Sequence, residues 1–385
     1  MRFIVGAIDF FASSITRSVS RSVKRSVAGF FAVLTTVVFA VVPTFVFTIA
    51  ATFVLTVAAP EAANAEEKIG TFAIENIRLR PTYNSAESSG GQFAMADSAF
   101  SLRWSKANSL SAVVEVGPLA ARYKPIYVDP ATEAGYGFTQ AYAEYSGIYG
   151  RVRFGLIPTN YGYDGSVNSN LRLFSPGQLI QNRLVAYDDN GISFFTQHNG
   201  YFTELIVHNG EIENSNEGRL WATSNFGWTN NRDWRTQLSL STGTVNGTAS
   251  TAATTTIAGV KNAETAKWRH ADFFANWSVR DWNVVLEAAG GQVEQSDHSG
   301  GYAFDRVEIS RFFSKNFGSG LRYDYFDPDT NIGKNAMTNI GLMLAIRSDD
   351  ATSTLAIVGT KVLEEGHQVN NDQIMVSWLL TPYTR

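Results

Sequence analysis

Residues 99–105 read AFSLRWS, and residues 234–242 read WRTQLSLST. In the first stretch Phe100, Leu102 and Trp104 alternate with small or polar residues, and the second stretch has the same period of two. Successive side chains of a β-strand point to opposite faces, so each stretch has one apolar and one polar face. Both stretches therefore predict strands that separate an apolar from an aqueous environment.

Similar stretches recur along the chain from about residue 70 to its end. The predicted strands lie near 71–83, 97–106, 110–122, 137–146, 150–158, 190–198, 201–209, 218–226, 233–244, 267–279, 281–290, 302–313, 317–326, 337–347, 352–362 and 372–380. This gives about sixteen strands of roughly ten residues, the length that a tilted strand needs to cross a bilayer. The fold class is therefore all-β.

The gaps between these strands are alternately short and long. Short gaps include 107–109, 147–149, 199–200 and 314–316, whereas long gaps rich in Gly, Asn, Asp and Ser include 84–96, 158–189 and 245–266. A soluble β-sandwich also alternates within its strands but has no reason to alternate its connections. The rhythm predicts a transmembrane antiparallel β-barrel with short periplasmic turns and long extracellular loops, in the outer membrane of a Gram-negative bacterium.

The composition excludes several classes of protein. Cysteine is absent, so neither disulfides nor thiolate chemistry are available, and only 17% of the residues are charged. The formal net charge of −4 disfavours a nucleic acid as partner. The five histidines belong to no recognisable nucleophile motif, so we expect no enzyme activity, and the sequence suggests no cofactor and no metal site.

Residues 1–65 have the features of a secretory signal peptide. A basic segment containing Arg17 and Arg25 precedes an apolar run over residues 29–60, and Ala63-Asn64-Ala65 forms a small-x-small cleavage pattern before two glutamates. The alternative is an uncleaved membrane helix, because the apolar run is long enough to span a bilayer. We predict cleavage, which leaves residues 66–385 as the barrel.

One segment resembles a known family. Residues 140–145 read QAYAEY, residues 150–158 read GRVRFGLIP, and residues 207–210 read VHNG. This order resembles the phosphate-selective porin O and P family. The resemblance implies a sixteen-stranded, trimeric outer-membrane porin whose third extracellular loop folds inward, and the implied strand number agrees with the independent count above. The third loop corresponds here to the gap 159–189, the longest in this part of the chain.

Arginines on the predicted polar faces are the candidate channel-lining residues, since a guanidinium group stays charged and binds anions through paired hydrogen bonds. They are Arg78, Arg80, Arg103, Arg151, Arg153, Arg219, Arg235 and Arg322, with Arg172 and Arg183 in the candidate constriction loop. Acidic residues also fall on or near inward positions, namely Glu75, Glu115, Glu204, Asp272, Asp305 and Asp324. A lumen of mixed charge is common in water-filled barrels, so the preference for anions is a weak one.

The sequence therefore predicts a passive porin for small hydrophilic solutes and ions, with a lean toward anions such as phosphate. Its partners would be outer-membrane lipids, these solutes and two further copies in a homotrimer. The alternative is a structural or adhesive barrel whose lumen is plugged by the long third loop. A track of inward aromatic rings for sugars is disfavoured, because only Trp221, Phe202 and Phe274 are candidates.

Overall fold

The computed structural model describes residues 70–86, 90–95, 98–106, 109–118, 136–167, 172–181, 184, 187–210, 220–230, 233–245, 258, 265–296, 298–366 and 371–384. The predicted signal peptide, residues 1–65, lies outside this part of the chain. Among the described residues no helix is both long and apolar enough to cross a membrane.

The described residues form eighteen strands and two short helices. The strands are β1 (Thr71–Leu79), β2 (Pro81–Ala86), β3 (Gly90–Met95), β4 (Ala99–Lys106), β5 (Leu110–Pro118), β6 (Tyr136–Gly147), β7 (Gly150–Pro158), β8 (Asp188–His198), β9 (Tyr201–His208), β10 (Trp221–Thr229), β11 (Trp234–Val245), β12 (Ala266–Val279), β13 (Trp282–Glu294), β14 (Ser299–Phe312), β15 (Phe317–Asp327), β16 (Met337–Arg347), β17 (Ser353–Glu364) and β18 (Gln373–Thr384). The helices are α1 (Gly162–Ser166) and α2 (Gln178–Gln181).

All strands belong to one antiparallel sheet that closes on itself. From β4 to β18 each strand pairs with the next one in sequence, and β1 pairs with β4 and with β18, the latter through Ile77 opposite Tyr383 and Leu79 opposite Leu380. β1 and β2 both pair with β18, so they occupy one position in the wall, and β3 and β4 together occupy the next. The wall is thus a closed barrel of sixteen antiparallel strands, which confirms the predicted fold class.

The predicted alternation is visible in the exposure of neighbouring residues. Along β14 the inward Arg306 and Glu308 are 2% and 4% exposed, whereas the outward Val307 and Ile309 are 40% and 41% exposed. A strand with lipid on one side and the barrel interior on the other requires this period of two.

Large aromatic residues lie on the outer face near the short turns. Trp234 and Trp277 pair across β11 and β12 and stack with their ring centroids 5.7 Å apart, and Trp282 and Trp378 are similarly exposed at the same end of their strands. Amphipathic rings at this height form the girdle of a membrane barrel. We call the end of the barrel with the short connections the turn end, and the opposite end the loop end.

Two of the predicted connections differ from expectation. The gap 84–96 is mostly strand, because β2 and β3 continue as a hairpin in which Asn84 pairs with Gln92. The connection between β13 and β14 is also short, at residues 295–298. Polar and small residues suggested loops at these places, but backbone hydrogen bonds across a hairpin satisfy such residues equally well.

Candidate functional site

We call the connection between β7 and β8, residues 159–187, L3, and its described residues, 159–167, 172–181, 184 and 187, lie inside the barrel. The backbone N–H of Gly162 donates to Ser239 Oγ at 3.3 Å, and that of Tyr163 donates to Glu287 Oε1 at 2.8 Å. Ser239 and Glu287 are buried residues on the inward faces of β11 and β13. The start of L3 therefore lies against the inner wall.

Asp164 is the centre of the L3 contacts. Its carboxylate accepts from Arg306 Nη2 at 2.7 Å, from Arg172 Nη1 at 3.2 Å and from the backbone N–H of Gly177 at 2.7 Å. Burial alone would raise the pKa of Asp164, but the guanidinium groups of Arg306 and Arg172 outweigh it, so the pKa lies well below its ordinary value. Asp164 is therefore a buried, ionised anchor for both ends of L3.

The Asp164–Arg172 pair is bonded to two separate parts of the wall and to the last residue of L3. Arg306 belongs to β14, Arg80 donates from its Nη2 to the carbonyl oxygen of Arg172 at 2.8 Å, and Arg172 Nη1 donates to Tyr187 Oη at 2.8 Å just before β8. Around the sixteen wall positions, the β1–β2 strand, β8 and β14 lie five, six and five places apart. L3 therefore extends across the interior rather than along one side.

Apolar clusters hold the rest of L3. Leu179, Ile180 and Leu184 pack with Trp268 and Tyr302 of the wall, in a cluster that also contains Tyr161, Trp221, Ala258, Ala266, Ala289, Val293, Phe304 and Phe326. Phe174 packs in a second cluster with Met343, Ala345, Ala356 and Val358, and Tyr163 packs with Phe274 and Val285 in a third. These inner-wall residues are apolar because they are covered by protein and not by water.

The inward aromatic rings are more numerous than the three predicted from the sequence. Trp221, His270 and Trp268 form a stack with neighbouring centroids 5.7 and 5.4 Å apart, and Tyr302 and Phe326 continue it. Every ring in this row is at most 3% exposed because L3 covers it. The row is thus part of the core that holds L3, and it offers no open track for a sugar.

Three of the predicted channel-lining arginines bind L3. Besides Arg80, Arg235 donates from Nη1 to the carbonyl oxygen of Ser166 at 3.0 Å, and Arg322 donates from Nη1 to that of Ser175. Backbone carbonyls of an irregular segment inside the barrel need such donors, because few other groups reach them. Arg80, Arg235 and Arg322 therefore face the interior of the barrel and also bind the backbone of L3.

Two other predicted arginines are partly exposed inside the barrel. The side chains of Arg103 and Arg151 are 24% and 32% exposed. Arg103 pairs with Glu75 at 2.8 Å and with Glu144 at 3.2 Å, and Arg151 lies 3.4 Å from the same Glu144. The accessible part of the wall on β1 to β7 therefore carries charges of both signs.

The remaining predicted arginines are buried or not described. Arg153 pairs with Glu144 at 2.9 Å, and Arg78 is 8% exposed on the inward face of β1. Arg172, predicted for the constriction loop, lies within L3 beside Asp164. Arg183 and Arg219 lie outside the described residues.

One acidic residue was assigned to the wrong face, and one arginine was missed for the same reason. Asp305 lies on the outer face of β14, opposite Tyr325, and Arg306 is the residue that points inward to Asp164. Adjacent residues of a strand take opposite faces, so an error of one position exchanges them. Val307 and Ile309 are apolar and alternate with Glu308, and this alternation places Arg306 on the same inward face as Glu308.

Residues 207–210, the VHNG segment, lie at the loop end of β8 and β9. His208 Nδ1 lies 2.7 Å from Asp189 Oδ2, and His208 Nε2 lies 2.9 Å from Thr223 Oγ1. Gly210, at a positive φ of 85°, donates its N–H to the same Asp189 carboxylate. Asn209 continues the ladder to Asn190 at 3.0 Å. This segment fixes the register of the strand that follows L3.

A recess lies between L3 and the wall strands β15 to β18. Uncharged polar side chains of Gln181, Asn339, Thr360 and Gln373 contribute to its lining together with Arg322 and Asp324. Arg322 and Asp324 pair with each other at 2.5 Å, so their charges largely cancel there.

Solved structures with the same architecture are outer-membrane proteins. OmpT of Vibrio cholerae, an outer membrane protein in trimer form, superposes with a TM-score of 0.59 at 9% identity, covering 82% of this chain and 100% of that one. The fold is that of outer-membrane porins. An anion-selective porin from Comamonas acidovorans matches with a TM-score of 0.56 at 13% identity, covering 81% of this chain and 99% of that one.

The outer membrane channel DcaP of Acinetobacter baumannii gives a TM-score of 0.57 at 8% identity, covering 83% of this chain and 99% of that one. No family model and no curated protein matches the sequence. In barrels with this porin fold the short turns face the periplasm and the long loops face outward. The turn end is accordingly the periplasmic end, and the loop end is the extracellular one.

Proposed function

We propose that the protein is a passive outer-membrane channel of a Gram-negative bacterium for small hydrophilic solutes and ions, with a weak preference for anions such as phosphate. Its partners would be outer-membrane lipids, the solutes and two further copies in a homotrimer. The observation that carries the proposal is the closed barrel with L3 inside it, beside a wall on which Arg103 and Arg151 remain partly exposed.

The electrostatic part of the proposal rests on the periplasmic half of the wall. Glu144 has three arginines around it, Arg103, Arg151 and Arg153, at 3.2, 3.4 and 2.9 Å. Glu75 and Glu204 add two further carboxylates, and Arg235 adds a fourth guanidinium group, so this surface has an excess of one positive charge. Fixed charges near the narrowest part of a pore set its ion preference.

The experiment is a reversal-potential measurement on the purified protein in planar bilayers under a salt gradient. We expect channels with a modest anion preference, and we expect Arg151→Gln to shift the reversal potential toward cation preference. Arg269→Gln is the matched control, because Arg269 lies on the outer face of β12 and pairs there with Glu294 at 2.8 Å. A strong cation preference of the unmodified protein would remove the role of these arginines.

The second candidate function is a structural or adhesive barrel with a plugged lumen. It is favoured by the contacts of Asp164 and Arg172 with Arg306 of β14 and with Arg80 between β1 and β2, two well-separated parts of the wall. Deleting Tyr161 to Leu179 separates the two functions. A channel conducts before the deletion and conducts more after it, whereas a plugged barrel conducts only after it.

A further inference from the structure

Four inward side chains on the turn-end side of the barrel form a ladder of guanidinium groups and phenyl rings. The Arg151 guanidinium carbon lies 4.8 Å from the centroid of the Phe195 ring, and that of Arg235 lies 5.0 Å from the centroid of Phe202. Phe195 and Phe202 stack with centroids 6.1 Å apart and an interplanar angle of 23°. The order across the wall is therefore Arg151, Phe195, Phe202 and Arg235, and we call it the Arg–Phe ladder.

The sequence of the intervening strand makes this ladder possible. The strands that contribute to it are β7, β8, β9 and β11, and β10 places Gly227 between the last two. A Cβ at Gly227 would come within 2.5 Å of the Phe202 ring. The missing side chain therefore lets Phe202 lie across β10 toward Arg235.

The ladder lies below L3 and faces the periplasmic half of the lumen. Arg151 is the second residue of β7 and Arg235 is the second residue of β11, so both are close to the short turns. Arg235 also donates to the carbonyl oxygen of Ser166, so the ladder meets the underside of L3. Arg151 and Phe195 are both partly exposed there.

The ladder also has an excess of positive charge. In the described part of the chain Arg235 has no carboxylate within ion-pair distance, and its hydrogen bonds go to Ser166 O and to Gln237 Oε1 at 2.7 Å. Arg151 shares Glu144 with other arginines. Glu204, which is 3% exposed and accepts from the Asn160 amide at 2.8 Å, is a further carboxylate near both arginines. Arg103, Arg151, Arg153 and Arg235 thus face Glu75, Glu144 and Glu204, which leaves an excess of one positive charge.

We propose that the Arg–Phe ladder is a binding site for anions that carry a planar aromatic ring, of the benzoate type. A guanidinium group can bind a carboxylate through two parallel hydrogen bonds, and the partly exposed Phe195 ring, whose faces meet Arg151 and Phe202, offers its edge to a ring of similar size in a T-shaped contact. Inorganic phosphate or acetate would use only the arginines. The proposal rests on the proposed channel function in naming these anions as the solutes, and the site itself is measurable without transport.

Titration calorimetry of the detergent-purified protein with benzoate, cyclohexanecarboxylate, acetate and inorganic phosphate tests the site, with a blank of detergent alone. We expect benzoate to bind roughly threefold to tenfold more tightly than acetate, as the usual strength of an aromatic pair implies. Cyclohexanecarboxylate, which has the same charge and size but no planar ring, should lie between them. Equal affinities for benzoate and acetate would overturn the proposal.

Phe195→Leu should abolish the preference for benzoate over acetate while leaving acetate binding unchanged. Phe154→Leu is the matched control, because Phe154 lies on the outer face of the neighbouring β7 and is 68% exposed. A benzoate preference that survives Phe195→Leu would refute the site. If bilayers containing the protein show no conductance but benzoate binding still depends on Phe195, the channel function fails and the site stands.

Discussion

Replacing Asp164 by asparagine should loosen L3 without opening the barrel wall. Asp164 is the only residue in the described part of the chain that pairs with both Arg172 and Arg306, and it also accepts from the Gly177 N–H. Removing one partner of a buried ion pair costs about 3–5 kcal/mol, because the other charge is left buried and uncompensated. Arg306 keeps Glu287 at 3.3 Å and Asp324 at 3.5 Å, and the neutral amide retains one acceptor oxygen, so we expect the lower end, about 3 kcal/mol.

Hydrogen exchange of the L3 amides measures this loss directly. Since about 1.4 kcal/mol corresponds to a factor of ten in an equilibrium constant, we expect exchange of the Gly177 amide to become roughly a hundredfold faster in Asp164→Asn. Amide exchange in the backbone hydrogen bonds between β12 and β13 should not change, since those bonds do not involve L3.

Asp349→Asn is the matched control for this experiment. Asp349, on the turn between β16 and β17, pairs at 3.6 Å with Lys315, on the turn between β14 and β15. Both side chains are exposed, and such pairs contribute little to the free energy of unfolding. An acceleration of less than tenfold at Gly177 in Asp164→Asn, or an equal acceleration in Asp349→Asn, would refute the assignment of Asp164 as the anchor of L3.

Three further changes test the same geometry. Gly162 has a positive φ of 63°, and a Cβ there would lie 3.0 Å from carboxylate oxygens of both Asp272 and Glu287. Gly162→Ala should therefore displace L3 and raise the single-channel conductance. Gly165→Ala is the control and should leave the conductance unchanged, because the atom nearest to a Cβ there is 3.5 Å away. The pKa of Asp164 is depressed in the folded protein, so its contribution to the stability of L3 is complete above its ordinary pKa of about 3.9 and is lost only as the pH falls through the lower folded value. The ratio of amide exchange rates between Asp164→Asn and the unmodified protein should therefore be the same at pH 5 and pH 8. A ratio that shrinks by tenfold at pH 5 would contradict that ionisation state. Finally, Tyr187→Phe removes the hydroxyl that accepts from Arg172, and we expect it to accelerate exchange in L3 by roughly threefold to tenfold, in keeping with the usual value of about 1 kcal/mol for one hydrogen bond; no change would show that this contact is not needed.

The strands could be predicted well because lipid on one side and the barrel interior on the other impose a local pattern. The predicted bounds 150–158 and 337–347 coincide with those of β7 and β16. Where the pattern is weak the bounds moved: the first strand was expected over 71–83 but is divided into β1, which ends at Leu79, and β2, and the polar stretch 84–96 contributes to the β2–β3 hairpin. Residues 119–122 of the strand predicted over 110–122 lie outside the described residues.

The site could be predicted only in part. Alternation shows which arginines face inward, but it does not show what they meet there, because the partners lie far away in the sequence. Arg80 contacts Arg172, and Arg322 contacts Ser175 across 147 positions. Arg306, the principal partner of Asp164, was missed through a shift of one position, and the inward aromatic row was underestimated because the apolar face of a strand was expected to meet lipid and not L3.

The most direct test of the account is the single-channel conductance of the purified protein in planar bilayers, measured before and after deletion of Tyr161 to Leu179. The account predicts that the unmodified protein conducts ions and that the deletion increases the conductance of each channel, since L3 extends across the interior. An unmodified protein that does not conduct, with conductance only after the deletion, would contradict the channel and identify L3 as a plug.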